Sequence, residues 1–386
     1  MYTKYFNLHR NLFKDDEKID IFFSPGRVNF IGEHIDYNGG NVFPFAISLG
    51  NYGTFSFRKD REIHLFSDSF PEQGIFKTSL DDLKYKKEDD WANYVKGVIL
   101  YLQEASSSIH QGFNIAISST LPSGAGLSSS ASIEALIAVM MNDMFDLGLD
   151  RTYLSVLTQR VENKYIDVNC GIMDQFVILN GEKDSALMLN TSTLKFDVVP
   201  FQLKNETVVI INSKKRRGLV ESAYNDRRNE CASALEFFKQ YIDVFDLCSI
   251  TIDQYNEYAP LCSNPVWMKR AKHAITEQAR VFSTKLALEQ NDLMTVGQNL
   301  LASHHSLRDD FQVSVKELDL LVSLAMKHGA IGARMTGAGF GGCTVNIVKN
   351  DLLDHFIKSV TDEYFNQTGY LAEMYIAMPS NKTSRM

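Results

Sequence analysis

Residues 113–145 constrain the fold of this chain more than any other stretch, because they join three patterns in a fixed order. Residues 113–119 alternate apolar with polar or small side chains, as a half-buried strand does. A loop of glycine, serine and proline follows over residues 121–132. Beyond it Ile133, Leu136, Ile137, Met140, Met141, Met144 and Phe145 recur at the 3.6-residue period of an amphipathic helix. The first-turn N–H groups of a helix lack intrahelical partners and the macrodipole is positive there, so a unit of this kind traps anions. Phosphate is the natural guest.

Two readings of Ser128, Ser129 and Ser130 are open at this point: serines that cap a helix, or hydroxyls that surround a phosphate. Two glycines (Gly124 and Gly126), a proline and a run of serines exceed what a cap requires. The loop is not of the Walker A type, since no Gly-Lys dipeptide occurs in the sequence. Protein-kinase His-Arg-Asp and Asp-Phe-Gly signatures are absent as well.

Glycine placement extends the argument to three further segments. Residues 25–40, 122–132, 169–175 and 336–343 hold 11 of the 23 glycines, which marks loops where backbone must come close to something. The segment Gly337 to Gly342 satisfies G-x-G-x-x-G literally. An alternating, strand-like run from Cys343 to Val348 follows it, whereas a dinucleotide fingerprint opens a helix. A glycine-rich turn packed against another loop is the better reading.

Residues 25–40 place Arg27, Glu33, His34 and Asp36 between apolar strands. One histidine and two carboxylates in a single short loop lack the paired-histidine spacing of a metal site. Recognition of sugar hydroxyls fits better, because carboxylates accept from them and imidazole can donate or accept. A solvated loop is the alternative reading.

The remaining composition sets bounds. A net charge of −8 disfavours a sequence-independent grip on nucleic acid or an anionic membrane. Five cysteines without a C-x-x-C pair indicate neither a disulfide framework nor a structural zinc site, and point to a reducing cytoplasm. No signal, transit or membrane-spanning segment is expected. Strands are expected over 19–24, 28–31, 42–47 and 52–58, and helices over 219–240, 266–289 and 313–327, with Gly329 as a C-cap. The lobe boundary falls at 195–205, near Pro200, giving lobes of residues 1–200 and 201–386. The polar tail beyond Met378 is expected to fray.

Taken together, residues 26–37, 121–132 and 336–343 resemble the galactokinases, a branch of the small-molecule kinases that includes the homoserine, mevalonate and phosphomevalonate kinases. Residues 170–176 and 91–97 agree with that resemblance, which spans about residues 20–345. It implies a two-lobed α+β small-molecule kinase fold. The N-terminal lobe has a mixed sheet and helices, the C-terminal lobe is richer in helix, and the active site lies between them. It implies ATP-dependent phosphorylation of the anomeric hydroxyl of D-galactose, as in galactose catabolism by the Leloir pathway.

By the same resemblance Asp174 is the candidate base and Arg27 its partner, while Glu33, His34, Asp36 and Tyr224 hold the sugar. Gly124, Ala125, Gly126, Leu127, Ser128, Ser129 and Ser130 surround the ATP phosphates, and Ser130 and Glu162 are the Mg²⁺ ligands. Trp91 and Tyr94 border the adenine, with core packing as the alternative for either ring. Arg216 aligns with a basic position near the sugar, with a solvated charge run as its alternative. Small molecules are the only partners implied. An N-acetylgalactosamine kinase and a non-catalytic sensor of galactose and ATP are the alternative functions.

Overall fold

The computed structural model describes all residues except 1, 15–16, 123–125, 169 and 216–219. Chain order begins with α1 (Thr3–Phe13), β1 (Asp20–Asn29), β2 (Asn41–Val42), β3 (Pro44–Phe57), β4 (Glu62–Ser67), β5 (Phe76–Ser79), α2 (Ala92–Ala105) and β6 (Phe113–Ser119). It continues with α3 (Ser129–Met144), α4 (Arg151–Arg160), α5 (Met173–Asn180), β7 (Ser185–Asn190) and β8 (Phe196–Pro200). The second half holds β9 (Glu206–Asn212), α6 (Val220–Phe238), α7 (Ile252–Tyr258), α8 (Pro265–Glu289), α9 (Leu293–Asp309) and α10 (Lys316–Lys327). It closes with β10 (Gly332–Thr336), β11 (Cys343–Lys349), α11 (Leu353–Thr368), β12 (Glu373–Ala377) and β13 (Ser384–Arg385).

The strands form a six-stranded sheet in the order β13-β1-β3-β6-β4-β5, a four-stranded sheet β10-β11-β9-β12 and a small sheet β2-β7-β8. Four short strands were expected where two long ones stand. β1 runs through Gly26 with a register shift between Pro25 and Arg27, and β3 runs through Gly50 and Gly53. Gly26 does not break the strand, because its role is contact: a Cβ there would lie 2.7 Å from the Leu127 carbonyl oxygen. The Arg27 N–H donates to that same oxygen at 3.2 Å, tying the glycine and serine loop to β1.

Two further expectations change for one reason. β6 is buried on both faces rather than half-buried, and α3 is buried around most of its circumference rather than on one stripe. The polar residues alternating on β6 and β3 meet α1 instead of water, with His9 bonded to Thr54 Oγ1 at 2.9 Å and Ser56 Oγ at 2.8 Å. Helices α2, α4 and α5 enclose α3 against the sheet. Periodicity reports which side chains are apolar, and it is silent on how many neighbours will cover the rest.

Val28, Phe30, Phe43 and Phe45 share one core with Val208, Ile210, Val345 and Ile347, so apolar packing is continuous between the two large sheets. α10 ends as expected at Gly329, whose φ is +92°. The Gly329 N–H donates to Met326 O at 3.3 Å and the Ala330 N–H to Ala325 O at 2.9 Å, a Schellman pair. The tail does not fray. β13 pairs with β1, and Thr383 is fully buried with its N–H on Ile178 O at 2.9 Å.

Candidate active site

Five elements converge at the junction of the halves. β1 supplies Arg27, the β1–β2 loop supplies Glu33, His34 and Asp36, and the start of α5 supplies Asp174. α6 supplies Tyr224, and the β10–β11 turn supplies Gly337 and Ala338. A cavity of about 550 Å³ is lined by all of these. A second, of about 460 Å³, is lined by Gly126, Leu127 and Ser128 of the loop before α3 and by Ser129 and Ser130 of its first turn. Arg27 and Asp174 line both.

Those two residues form a fork. Arg27 Nε donates to Asp174 Oδ1 at 2.7 Å and Nη2 to Oδ2 at 2.6 Å, while Nη1 donates to Gly126 O at 2.8 Å. Ser128 stands at the head of α3 with φ +61°, and its hydroxyl donates to Asp174 Oδ2 and accepts no backbone N–H of the first turn. The capping reading therefore fails for Ser128. Asp174 Oδ1 accepts from Arg27 alone among these donors, which leaves it acceptor capacity toward the larger cavity.

Glu33, His34 and Asp36 of the β1–β2 loop sit in the wall of the larger cavity. His34, at φ +62°, contacts Ala338 O through Nε2 at 3.3 Å and Tyr37 Oη through Nδ1 at 2.8 Å. A carbonyl only accepts, so Nε2 carries the proton and Nδ1 accepts from the tyrosine. Burial pushes His34 down to about 4, which leaves the ring neutral at pH 7. Burial first, and the Glu33 carboxylate second, push Asp36 up to about 6. Tyr224 lines the same cavity and packs on His34 at a centroid distance of 5.6 Å.

Glu33 is 4% exposed, and its Oε1 accepts from Arg334 Nη2 at 2.6 Å, Thr336 Oγ1 at 2.9 Å and the Gly337 N–H at 2.7 Å. The loop backbone is held from α8. His273 Nε2 donates to Glu33 O at 3.0 Å, Glu277 Oε1 accepts the Gly32 N–H at 3.0 Å, and Gln278 Oε1 accepts the Asn41 N–H at 2.8 Å. Burial alone would raise Glu277, but Arg280 foremost, then His273 and Arg334, bring it down to about 2. Sequence reasoning named none of these α8 residues. The available signal was His273 and Glu277 about one helical turn apart on the mostly apolar buried face of α8.

Ser130 lines the smaller cavity, and buried Glu162 accepts from Gln175 Nε2 at 3.2 Å through Oε2. This donor set is oxygen only. Among the described residues no cluster of three or more His, Cys, Asp or Glu is placed to cage a metal. That suits Mg²⁺, which takes few protein oxygens and keeps its waters. Near Glu162, fully buried Glu134 on α3 has no partner for either carboxylate oxygen among the described residues, nor has Gln175 Oε1. Burial, reinforced by Glu162, pushes Glu134 well above the carboxylate range, so it is neutral. A neutral Glu134 can donate to Gln175 Oε1 and satisfy both groups.

Sequence comparison decides the family. The GHMP kinases N terminal domain model matches residues 93–182, the galactokinase galactose-binding signature residues 7–56, and the GHMP kinases C terminal model residues 284–366. A galactokinase of Clostridium acetobutylicum is 46% identical over 368 residues, covering 95% of this chain and 94% of that protein. The chain belongs to the galactokinase family. A galactokinase of Bacillus subtilis is 45% identical, again over 95% of this chain and 94% of its own length. The structure of Lactococcus lactis galactokinase complexed with galactose superposes with a TM-score of 0.94 at 40% identity, covering 100% of this chain and 99% of that one. A mevalonate kinase at 21% identity shares the fold, with a TM-score of 0.68 over 94% of this chain and 99% of that one.

Within this galactokinase fold, three of the family-derived positions, Trp91, Tyr94 and Glu162, do not line either cavity. Trp91 is 5% exposed in the core of the first half, stacked on Phe70, with its indole N–H on Gln73 Oε1 at 3.0 Å. Tyr94 is half-buried beside Glu162 and Glu134, and burial pushes its phenol up to about 12. The structure brings neither to the walls of the two cavities. Gly124, Ala125 and Arg216 lie outside the described residues. The third glycine segment is nearer the chemistry than its sequence suggested, since Gly337 and Ala338 line both cavities.

Proposed function

We infer that this chain is a galactokinase that transfers the terminal phosphate of ATP to the anomeric hydroxyl of D-galactose, as in the Leloir pathway. The observation that carries the site assignment is the position of Arg27 and Asp174 in the wall shared by the two cavities. Galactose occupies the larger cavity, held by Glu33, His34, Asp36 and Tyr224. The phosphates of ATP lie in the smaller one, against the loop from Gly124 to Ser130 and the head of α3.

The anomeric hydroxyl is a weak nucleophile and needs an acceptor for its proton as the new P–O bond forms. Asp174 Oδ1 is that acceptor. Arg27 orients the carboxylate through two hydrogen bonds, and its cationic fork lies where negative charge gathers on the transferring group. Ser130 and Glu162 would hold Mg²⁺, which when bound neutralises charge on the phosphates. His34, neutral and locked as the Nε2–H tautomer, keeps the sugar wall free of an extra positive charge.

The lobes are residues 1–200 and 201–386 in this reading, with the boundary between β8 and β9. We place the protein in the cytoplasm. Five free cysteines support that, and among the described residues no helix is long and apolar enough to cross a membrane. The test is ADP release with D-galactose, D-glucose and N-acetylgalactosamine, with Mg²⁺ present and then chelated. Turnover restricted to galactose and abolished by chelation is expected. Tight binding of galactose and ATP without ADP release would overturn the enzyme reading, and preferred turnover of N-acetylgalactosamine would overturn the substrate.

A further inference from the structure

A carboxylate that recognises a sugar hydroxyl must present a chosen oxygen at a chosen angle. The outermost torsion of a glutamate is broad, so its own backbone does not fix that angle. Around Glu33 the fixing groups come from β10 and the residue after it. Three donors converge on Oε1, from Arg334, Thr336 and the Gly337 N–H, none of them reaches Oε2, and Glu33 lines the larger cavity. Arg334 does not depend on Glu33 for its own placement. Fully buried, it also donates through Nη1 to Phe30 O at 3.1 Å and through Nε to Met335 O at 2.8 Å. The Thr336 hydroxyl lies 3.0 Å from Asn29 O and 2.9 Å from Glu33 Oε1, and of the two the carboxylate is the stronger acceptor for its single proton.

We propose that Arg334 and Thr336 are positioning residues for sugar specificity, acting by saturating one oxygen of Glu33 so that the other is aimed at a single galactose hydroxyl. A buried ion pair is weak evidence for stability, since apolar side chains of similar volume commonly serve a core as well. Here Glu33 lines the sugar cavity with Arg334 buried behind it, and the carboxylate is divided into an occupied and an available oxygen. Specificity is then assembled from both halves of the chain, with the reading group on the β1–β2 loop and its aim set by β10. The inference rests on Glu33 facing the sugar.

The experiment measures kcat/KM for galactose and a panel of monodeoxygalactoses with the full-length enzyme and its Glu33→Gln, Thr336→Val, Thr336→Ser and Arg334→Lys variants. Glu33→Gln is expected to lose discrimination against one deoxygalactose. Thr336→Val and Arg334→Lys should lose discrimination against that same sugar by roughly 5- to 20-fold, with KM for ATP unchanged, the scale of one charge-assisted hydrogen bond. Thr336→Ser, which keeps the hydroxyl, should restore the wild-type pattern. Equal losses for every sugar in Thr336→Val and Arg334→Lys would overturn the proposal and leave these residues purely structural. If Glu33→Gln is selective for no deoxygalactose, the placement of Glu33 against the sugar fails first. Thr336→Val is close to isosteric and decides the question even if Arg334→Lys does not fold.

Discussion

Asp174 holds three donors, two from Arg27 and one from Ser128. Substitution by asparagine keeps the shape and removes the proton acceptor. Asp174→Asn should lower kcat by at least about 10²-fold while ATP binding stays nearly intact, and an unchanged kcat would remove Asp174 from the reaction. Asp36 gives a different signature. With its carboxyl near 6, it is ionised at pH 7 and protonated below, so its capacity to accept from two hydroxyls declines as pH falls. At saturating MgATP, kcat/KM for galactose should fall through about pH 6, and Asp36→Asn should lose that limb. A limb that persists in Asp36→Asn would assign the titration elsewhere. Glu33→Ala is a poor probe by comparison, because it strands the buried Arg334 cation, a loss of about 3–5 kcal/mol that is unrelated to sugar.

At the scale of the element, α3 combines a head that lines the smaller cavity with a buried acid one turn on. The folded chain keeps Glu134 protonated, while the unfolded chain releases that proton near the ordinary glutamate value of about 4.3. Folding stability contributed by this group is therefore complete below that value and declines as pH rises above it. Glu134→Gln should raise the melting temperature by a margin that widens from pH 5 to pH 8. Parallel melting curves for variant and wild type would show that Glu134 is ionised in the fold. β1 makes a sharper demand at Gly26, where a methyl group would lie 2.7 Å from Leu127 O and 2.6 Å from Leu121 Cδ2. Gly26→Ala should push the phosphate loop outward and lower kcat/KM for ATP by about tenfold or more, with a smaller effect on galactose binding measured directly. Equal losses on both ligands would place the damage in the fold.

Across the whole molecule, the last eight residues close the structure. The N–H groups of Ser380, Lys382, Thr383 and Met386 donate to Ala46, Gly181, Ile178 and Ile21. The Thr383 hydroxyl meets Ser24 Oγ at 2.9 Å, and Ser132 Oγ donates to Ser24 O at 2.9 Å, so the tail lies one residue removed from the start of α3. Deleting residues 379–386 should destabilise the protein by about 3 kcal/mol or more, as backbone groups of β1 and α5 lose partners. A melting temperature unchanged by the deletion would show that water replaces the tail without loss.

The chemistry-bearing residues were legible in the sequence because they occur as short, dense motifs. Arg27, the β1–β2 loop and the serines at the head of α3 announce themselves by residue type within a few positions, whereas Asp174 follows only from the family resemblance. The strand, loop and helix order around residues 113–145 and the turn at Gly337 to Gly342 were legible for the same reason, since hydrophobic period and glycine are local signals. Long-range contact was not legible. Nothing near Glu33 in the chain announces Arg334 or His273, which lie 301 and 240 residues away. Gly26 read as a break in a strand, because the Leu127 carbonyl that requires glycine there comes from a distant loop. The tail read as loose, because its polar side chains meet partners only once β1 is in place. Residue type and local spacing determined which groups are candidates for the reaction. Tertiary packing decided which oxygen of each faces a ligand, because burial, partner atoms and backbone approach depend on segments that meet only in the folded chain.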